Sequence, residues 1–169
     1  ETITRYVSST LDTYHAAGSA DEGQLLDALR AAALEAHQAV RTEAVARAAS
    51  KGLDEVRGMA TTLTLAIAVW PWMYIVQVGD SRCYFYGDGA LRQVTRDQTL
   101  AQALVEQGVL PAERAGASPF SHVLSSAIGS EQATPEVTRL NVAQRGCVIL
   151  LCSDGLTKHV SDPEIADRL

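Results

Sequence analysis

The sequence predicts an α+β fold, with helices packed on antiparallel sheet, and three observations carry that expectation. The first fifty residues place apolar side chains at helical spacing. Positions 62–95 then run as successive strands with no helix between them, so parallel crossovers are excluded there. Two further strand-like runs follow a short helix in the last third of the chain.

The elements follow in order. "ITRYVSSTLDTY" carries Ile3, Tyr6, Val7, Leu11 and Tyr14 at steps of three and four, a single apolar stripe, and Gly18 stops it. Ser19 and Glu22 form a capping-box pattern that opens a second helix. Leu25, Leu29, Ala32, Ala36 and Val40 give that helix its buried face, and Gly52 ends it. "TTLTLAIAVW" alternates with both faces rather apolar, as in a strand covered on two sides. Trp70-Pro71-Trp72 makes the reversal, with both tryptophans expected to cover the end of a sheet, and "MYIVQVGD" returns beside the first strand. Gly87-Asp88-Gly89 is a hairpin signal between "RCYFY" and "ALRQVT". Thr95 with Gln98 is expected to cap the helix "QTLAQALVEQ", which Gly108 ends. Residues 109–130 are rich in Ala, Ser, Gly and Pro and predict a surface excursion. "EVTRLNV" and "CVILLCSDGL" are the later strands, and Ser161 with Glu164 caps a final helix.

Length and composition bound what this fold can do. With 169 residues the chain is expected to be one domain, and 47% hydrophobic with 20% charged residues is ordinary for a globular protein. The net charge of −6, without any Lys/Arg block, argues against a nucleic-acid face or an anionic-membrane face. No apolar run reaches the length of a membrane span. Cys83, Cys147 and Cys152 are odd in number and irregular in spacing, which fits small buried thiols in a reducing compartment rather than a disulfide framework. The chain begins at Glu1 directly in helical pattern, so its natural N-terminus is expected to lie further upstream.

The chemistry concentrates at two places of the same design. "VQVGDSR" and "VILLCSDGL" each deliver an aspartate, Asp80 and Asp154, from an apolar strand into a turn of small residues. A carboxylate so mounted projects into a cleft while its backbone stays in a rigid sheet, which suits a ligand for a hard divalent cation such as Mg²⁺ or Mn²⁺. Gly79 and Gly155 are expected to allow unusual backbone angles or close approach. Taken singly, each motif is also an ordinary turn in which aspartate caps backbone N–H groups. No histidine is spaced for zinc, no G-x-S-x-G elbow surrounds Ser153, and no P-loop is present.

Five motifs in this order, "RGMATTLTLAIA", "VQVGDSRCYFY", "LRQVTRDQT", "SSAIGS" and "VILLCSDGLTKHVSDPEI", resemble the bacterial metal-dependent serine/threonine protein phosphatases of the PP2C type. The resemblance runs from Arg57 to the C-terminus, and the helical first part fits the family's helix pair. It implies a four-layer α-β-β-α sandwich of two antiparallel sheets, here incomplete at both ends. It implies hydrolysis of phosphoserine and phosphothreonine on proteins by a water activated at a binuclear Mn²⁺ or Mg²⁺ centre, with no phospho-enzyme. By position, Asp154 would ligate that centre and Asp80 an additional ion beside it, while Gly79, Ser81, Ser153 and Gly155 support the site. Arg82 would brace the Asp80 loop rather than touch phosphate. Residues 109–130 fall where the family has a flap, making Ser118, Pro119, Phe120, Ser121 and His122 candidates for substrate contact. The partners implied are phosphorylated proteins and an opposing Ser/Thr kinase, in the cytoplasm.

The chain departs from the family pattern at Ala60, where glycine is usual, at Gln98, where histidine is usual, and at Cys147, where aspartate follows the glycine. The family's upstream N-E-D and D-G-x-G motifs, with a phosphate-binding arginine, and its downstream D-N motif are outside this sequence. About half of the metal shell is therefore expected here, and the isolated chain is expected to associate or to be marginally stable. The same motifs also fit a catalytically silent module that binds phosphoproteins.

Overall fold

In the computed structural model, the structure describes residues 22–50 and 59–169, together with Thr4, Arg5, Ser8, Ser9 and Asp12, which are helical. The expected Gly18 stop, Ser19 cap and Gly52 end lie outside the described residues.

Helix α1 runs Glu22–Ser50, as the apolar spacing predicts. Leu25, Leu29, Ala32 and Ala36 are buried on one face, and His37, Ala44 and Ala48 continue it where Val40 was expected. Alanines on that face let the helix lie close, so Leu25 and Leu29 reach Tyr74 and Val76 in one buried cluster. Each leucine so buried contributes about 1.5–3 kcal/mol of hydrophobic stabilisation.

The sheet beneath α1 has the order β1-β2-β5, all antiparallel, with β1 Leu63–Val69, β2 Trp72–Val78 and β5 Glu136–Asn141. Leu63, Leu65, Ile67 and Val69 stand opposite Val78, Val76, Tyr74 and Trp72 and form the face that meets α1. Between them Thr64, Ala66 and Ala68 stand opposite Gln77, Ile75 and Met73 and give the other face. The second sheet has the order β4-β3-β6, with β3 Arg82–Gly87, β4 Ala90–Gln93 and β6 Val148–Cys152, again antiparallel. Helices α3 (Asp154–Thr157) and α4 (Asp162–Ala166) follow β6, and α4 lies against β4. Helix, sheet, sheet and helix therefore succeed one another as the α+β sandwich requires. Among the described residues no helix is long and apolar enough to cross a membrane.

The two sheets share one continuous run of chain. β2 belongs to the first, β3 to the second, and Gly79-Asp80-Ser81 is the corner between them. β3 then returns as β4 through Asp88 (φ 51°) and Gly89 (φ 73°), the left-handed pair of a two-residue hairpin.

Three local expectations are corrected. Helix α2, Leu100–Glu106, is capped by Thr99, whose Oγ1 accepts from Gln102 N at 3.2 Å, and not by Thr95. Thr95 Oγ1 instead accepts from Cys83 N at 2.8 Å, and the Gln98 side chain is used at the sheet corner. Trp70 covers no sheet: it is 74% exposed, whereas Trp72 carries the Arg139 guanidinium 4.1 Å from its ring centre. All three cysteines are free thiols, but only Cys83 is fully buried, and burial pushes it up to about 11.

Residues 109–130 form a short 3₁₀ turn, Ala112–Arg114, and a series of turns, anchored by the single bridges Thr99–Leu124 and Thr61–Ile128. Helix α1 grips the far end: His37 Nδ1 accepts from Gly129 N, and Arg41 donates to Ser130 O and Glu131 O, each at 3.0 Å.

Candidate functional site

The corner that mounts Asp80 is built from backbone groups and two glutamines. Gly79 has φ +106°, and a Cβ there would sit 2.5 Å from Thr62 Cγ2, so only glycine fits the turn. Gly79 N donates to Gln98 Oε1 at 2.8 Å and Gly79 O accepts from Gln98 N at 3.1 Å, a reciprocal pair. Gln98 Nε2 reaches Thr134 O at 2.9 Å, so this one side chain ties the corner to the segment before β5. Gln77, 2% exposed, donates to Gly79 O at 3.1 Å and accepts from Arg96 N at 3.2 Å. Ser81 is held on its other side by Thr62 Oγ1 at 2.8 Å and by Thr64 Oγ1, which donates to Ser81 O at 2.8 Å. Among the described residues no buried side-chain N or O is without a partner, and the Asp80 carboxylate is presented from a hydrogen-bonded frame.

Arg82 completes that frame. Its Nε and Nη2 both donate to Asp97, at 2.9 and 2.7 Å, and its Nη1 donates to Tyr84 Oη at 2.9 Å. Tyr84 in turn donates to Asp162 Oδ1 at 2.9 Å, at the start of α4. The guanidinium is held well above its ordinary pKa, first by the Asp97 hydrogen bonds, and burial pushes the Tyr84 phenol up to about 12. Arg82 is therefore occupied in bracing the 93–99 loop and α4.

Asp154 is mounted differently. It is the first residue of α3, Ser153 at the N-cap makes no side-chain capping bond, and Lys158 Nζ pairs with its Oδ2. Gly155 has no left-handed backbone, and a Cβ there would meet only Ser153 Oγ at 3.4 Å, so the expected special angle is absent.

Asp80 and Asp154 nevertheless face one cleft of about 520 Å³, shared with Arg82, Asp97, Ser121, His122 and Lys158. Of the flap candidates, Ser121 and His122 line this cleft, whereas Ser118, Pro119 and Phe120 stand outside its lining; Ser118 Oγ accepts from Phe120 N at 3.2 Å, and Phe120 is 46% exposed. A larger hollow of about 700 Å³, walled by Leu150, Leu156, Pro163 and Ile165, is apolar and draws in neither Asp80 nor Asp154. Chemistry rather than size selects the smaller cleft.

The electrostatics of the pair are asymmetric. Burial first, and then the Asp154 charge, hold the Asp80 carboxyl above its usual range. The Lys158 hydrogen bond chiefly lowers Asp154, with His122 contributing in the same direction. A carboxylate destabilised by a neighbouring carboxylate is one that a hard divalent cation would relieve, and both groups offer oxygen donors. The pair fits such a cation as part of its shell. Among the described residues, no group of three or more His, Cys, Asp or Glu forms around a common point.

Sequence reasoning did not single out Gln77, Asp97 or Lys158. For Lys158 a signal was present, since residues four apart on a helix are neighbours. Gln77 is joined to Arg96 N, 19 residues on, and Asp97 to Arg82, 15 residues back, pairings that no local pattern shows.

The family model for protein phosphatase 2C matches residues 1–169. The serine/threonine protein phosphatase PstP of Mycobacterium tuberculosis is 37% identical over 115 residues, 68% of this chain and 22% of that protein. Its crystal structure superposes with a TM-score of 0.73 at 32% identity, covering 98% of this chain and 66% of that one. The PstP catalytic domain in complex with two manganese ions gives a TM-score of 0.64 at 30% identity, covering 98% and 65%. The chain thus spans only part of the length of these relatives. With the corner, the paired carboxylates and the sandwich all in place, the chain belongs to the protein phosphatase 2C family.

Proposed function

We propose that the cleft is part of the metal centre of a cytoplasmic serine/threonine protein phosphatase that acts on phosphorylated proteins and opposes a Ser/Thr kinase. The observation that carries this reading is the convergence of Asp80 and Asp154, from strands of two motifs far apart in sequence, on one cleft where their charges repel. Asp154 would hold one of two Mn²⁺ or Mg²⁺ ions and Asp80 a further ion beside them. Bound there, the cations would supply an acidic water and charge compensation for the phosphoryl group. The chain's own part is to fix the carboxylates: Gly79, Ser81, Gln77 and Gln98 hold Asp80, Arg82 locks the adjoining loop, and Ser153 and Gly155 start the helix that carries Asp154. Ser121 and His122 bring the 109–130 segment to the rim, where a phosphoprotein would lie.

The test is hydrolysis of a phosphothreonine peptide by the native-length protein, with and without Mn²⁺, beside Asp154→Asn and Asp80→Asn. Activity that needs Mn²⁺ and collapses in Asp154→Asn is the expected result. A folded, full-length protein that binds the phosphopeptide and leaves it intact would replace the enzyme with a silent binding module.

A further inference from the structure

Two cations, Arg82 and Lys158, and one histidine, His122, line the cleft among the described residues. Each nitrogen of Arg82 already has a partner, Nε and Nη2 on Asp97 and Nη1 on Tyr84. His122 is exposed on the 109–130 excursion. Lys158 is placed otherwise. It lies one helical turn after Asp154, and its ammonium pairs with the very carboxylate that the phosphatase reading assigns to a divalent cation.

That pair is open to solvent, with the lysine side chain 44% and the aspartate 43% exposed. An exposed ion pair on a flexible four-carbon stem is weakly held. A dication that takes Asp154 repels the ammonium as well as competing for its oxygen. Lys158 N donates to Asp154 O at 2.9 Å, so the root of the side chain stays at the cleft and a displaced ammonium remains within reach of it. The incoming phosphoryl group brings anionic oxygens to the same place, and an ammonium with three donors suits them as a point charge.

We propose that Lys158 is a phosphate-gripping cation of this cleft, held on Asp154 and handed over to a phosphoryl oxygen when a divalent cation takes that carboxylate. The inference rests on the phosphatase reading and adds to it a substrate contact and a competition at the metal ligand. No bond to phosphorus forms or breaks through Lys158.

The experiment uses the native-length protein as wild type, Lys158→Gln and Lys158→Arg. Manganese affinity is read without phosphate, from the spectrum of free Mn²⁺, and inorganic phosphate affinity is read calorimetrically at saturating Mn²⁺. Lys158→Gln is expected to bind manganese roughly twofold to fivefold more tightly, because its internal competitor is gone. The same variant is expected to bind phosphate roughly threefold to tenfold more weakly, and Lys158→Arg to recover most of that loss. Unchanged phosphate affinity or unchanged manganese affinity in Lys158→Gln overturns the proposal, as does a wild-type cleft that takes up no phosphate. Failure of the phosphatase reading looks different: the wild type binds both ions, Lys158→Gln shifts both affinities as stated, and the phosphothreonine peptide survives.

Discussion

Asp80 leaves β2 at a corner where its neighbours Gly79 and Ser81 are tied by Gln77, Gln98, Thr62 and Thr64. Asp154 leaves β6 onto a four-residue helix with an uncapped N-terminus and a lysine as its partner. The two motifs read alike, as an apolar strand delivering an aspartate beside a glycine. The fold makes one a rigid mount that holds its carboxylate against its preference. It makes the other a solvent-washed helix start whose carboxylate is comfortable as an anion. Resemblance of motif is therefore no guide to mechanical role; what surrounds the glycine is.

The sharpest way to break this comparison is to treat the two glycines alike. Gly79→Ala forces a Cβ to 2.5 Å from Thr62 Cγ2 at φ +106° and is expected to cost about 3 kcal/mol or more, read by urea melting. Gly155→Ala has only Ser153 Oγ at 3.4 Å to meet, lies in a helix, and is expected to stay within about 0.5 kcal/mol of wild type or to gain. Equal losses at the two positions would end the distinction.

The glutamine braces come next. Gln98→Leu removes the partners of Gly79 N and Thr134 O together and is expected to cost about 1–3 kcal/mol. A loss no larger than that of an exposed control such as Gln38→Leu would mean that the corner holds itself.

The carboxylates separate in direction. Asp80 has a raised pKa in the fold, so its stabilising effect is complete below the ordinary value of 3.8 and is lost as pH rises through the folded value. At neutral pH, without added cation, Asp80→Asn is therefore expected to melt above wild type. Asp154 has a lowered pKa, so its contribution is present above 3.8 and is lost as pH falls through the folded value. Asp154→Asn is expected to melt slightly below wild type at neutral pH, by no more than about 1 kcal/mol, because the pair with Lys158 is exposed. Shifts of the same sign would contradict the asymmetry.

The smallest effect is expected at the clamp that α1 places on the 127–131 turn. Burial, and then the Arg41 charge, lower the His37 pKa, while a hydrogen bond with the Ala127 backbone opposes them. The neutral ring is needed to accept from Gly129 N. Its contribution is thus intact above the ordinary value of 6.5 and fades as pH falls through the lower folded value. Melting curves of wild type and His37→Asn, which keeps an acceptor, should draw together or cross between neutral pH and pH 5. Parallel curves over that range would show that His37 does not titrate with the fold.

What the sequence by itself determined was whatever depends on neighbours along the chain. The spacing of Leu25, Leu29, Ala32 and Ala36 set a helix face, alternation in 63–69 and 72–78 set two strands, Gly87-Asp88-Gly89 set a hairpin, and Ser161 with Glu164 set a capped helix. Asp80 and Asp154 could be named as candidates because a strand, an aspartate and a turn are local events. Tertiary structure alone decided how those pieces are used. Thr95 lost its capping role because Cys83, 12 residues away, needed its hydroxyl. Gln98 became the brace of Gly79 by reaching Thr134, 36 residues on, and Tyr84 found Asp162 across 78 residues. His37 entered the core because Gly129, 92 residues later, offered it an N–H. A buried donor or acceptor must find a partner wherever the fold brings one. That choice is made by long-range packing, which no period in the sequence records.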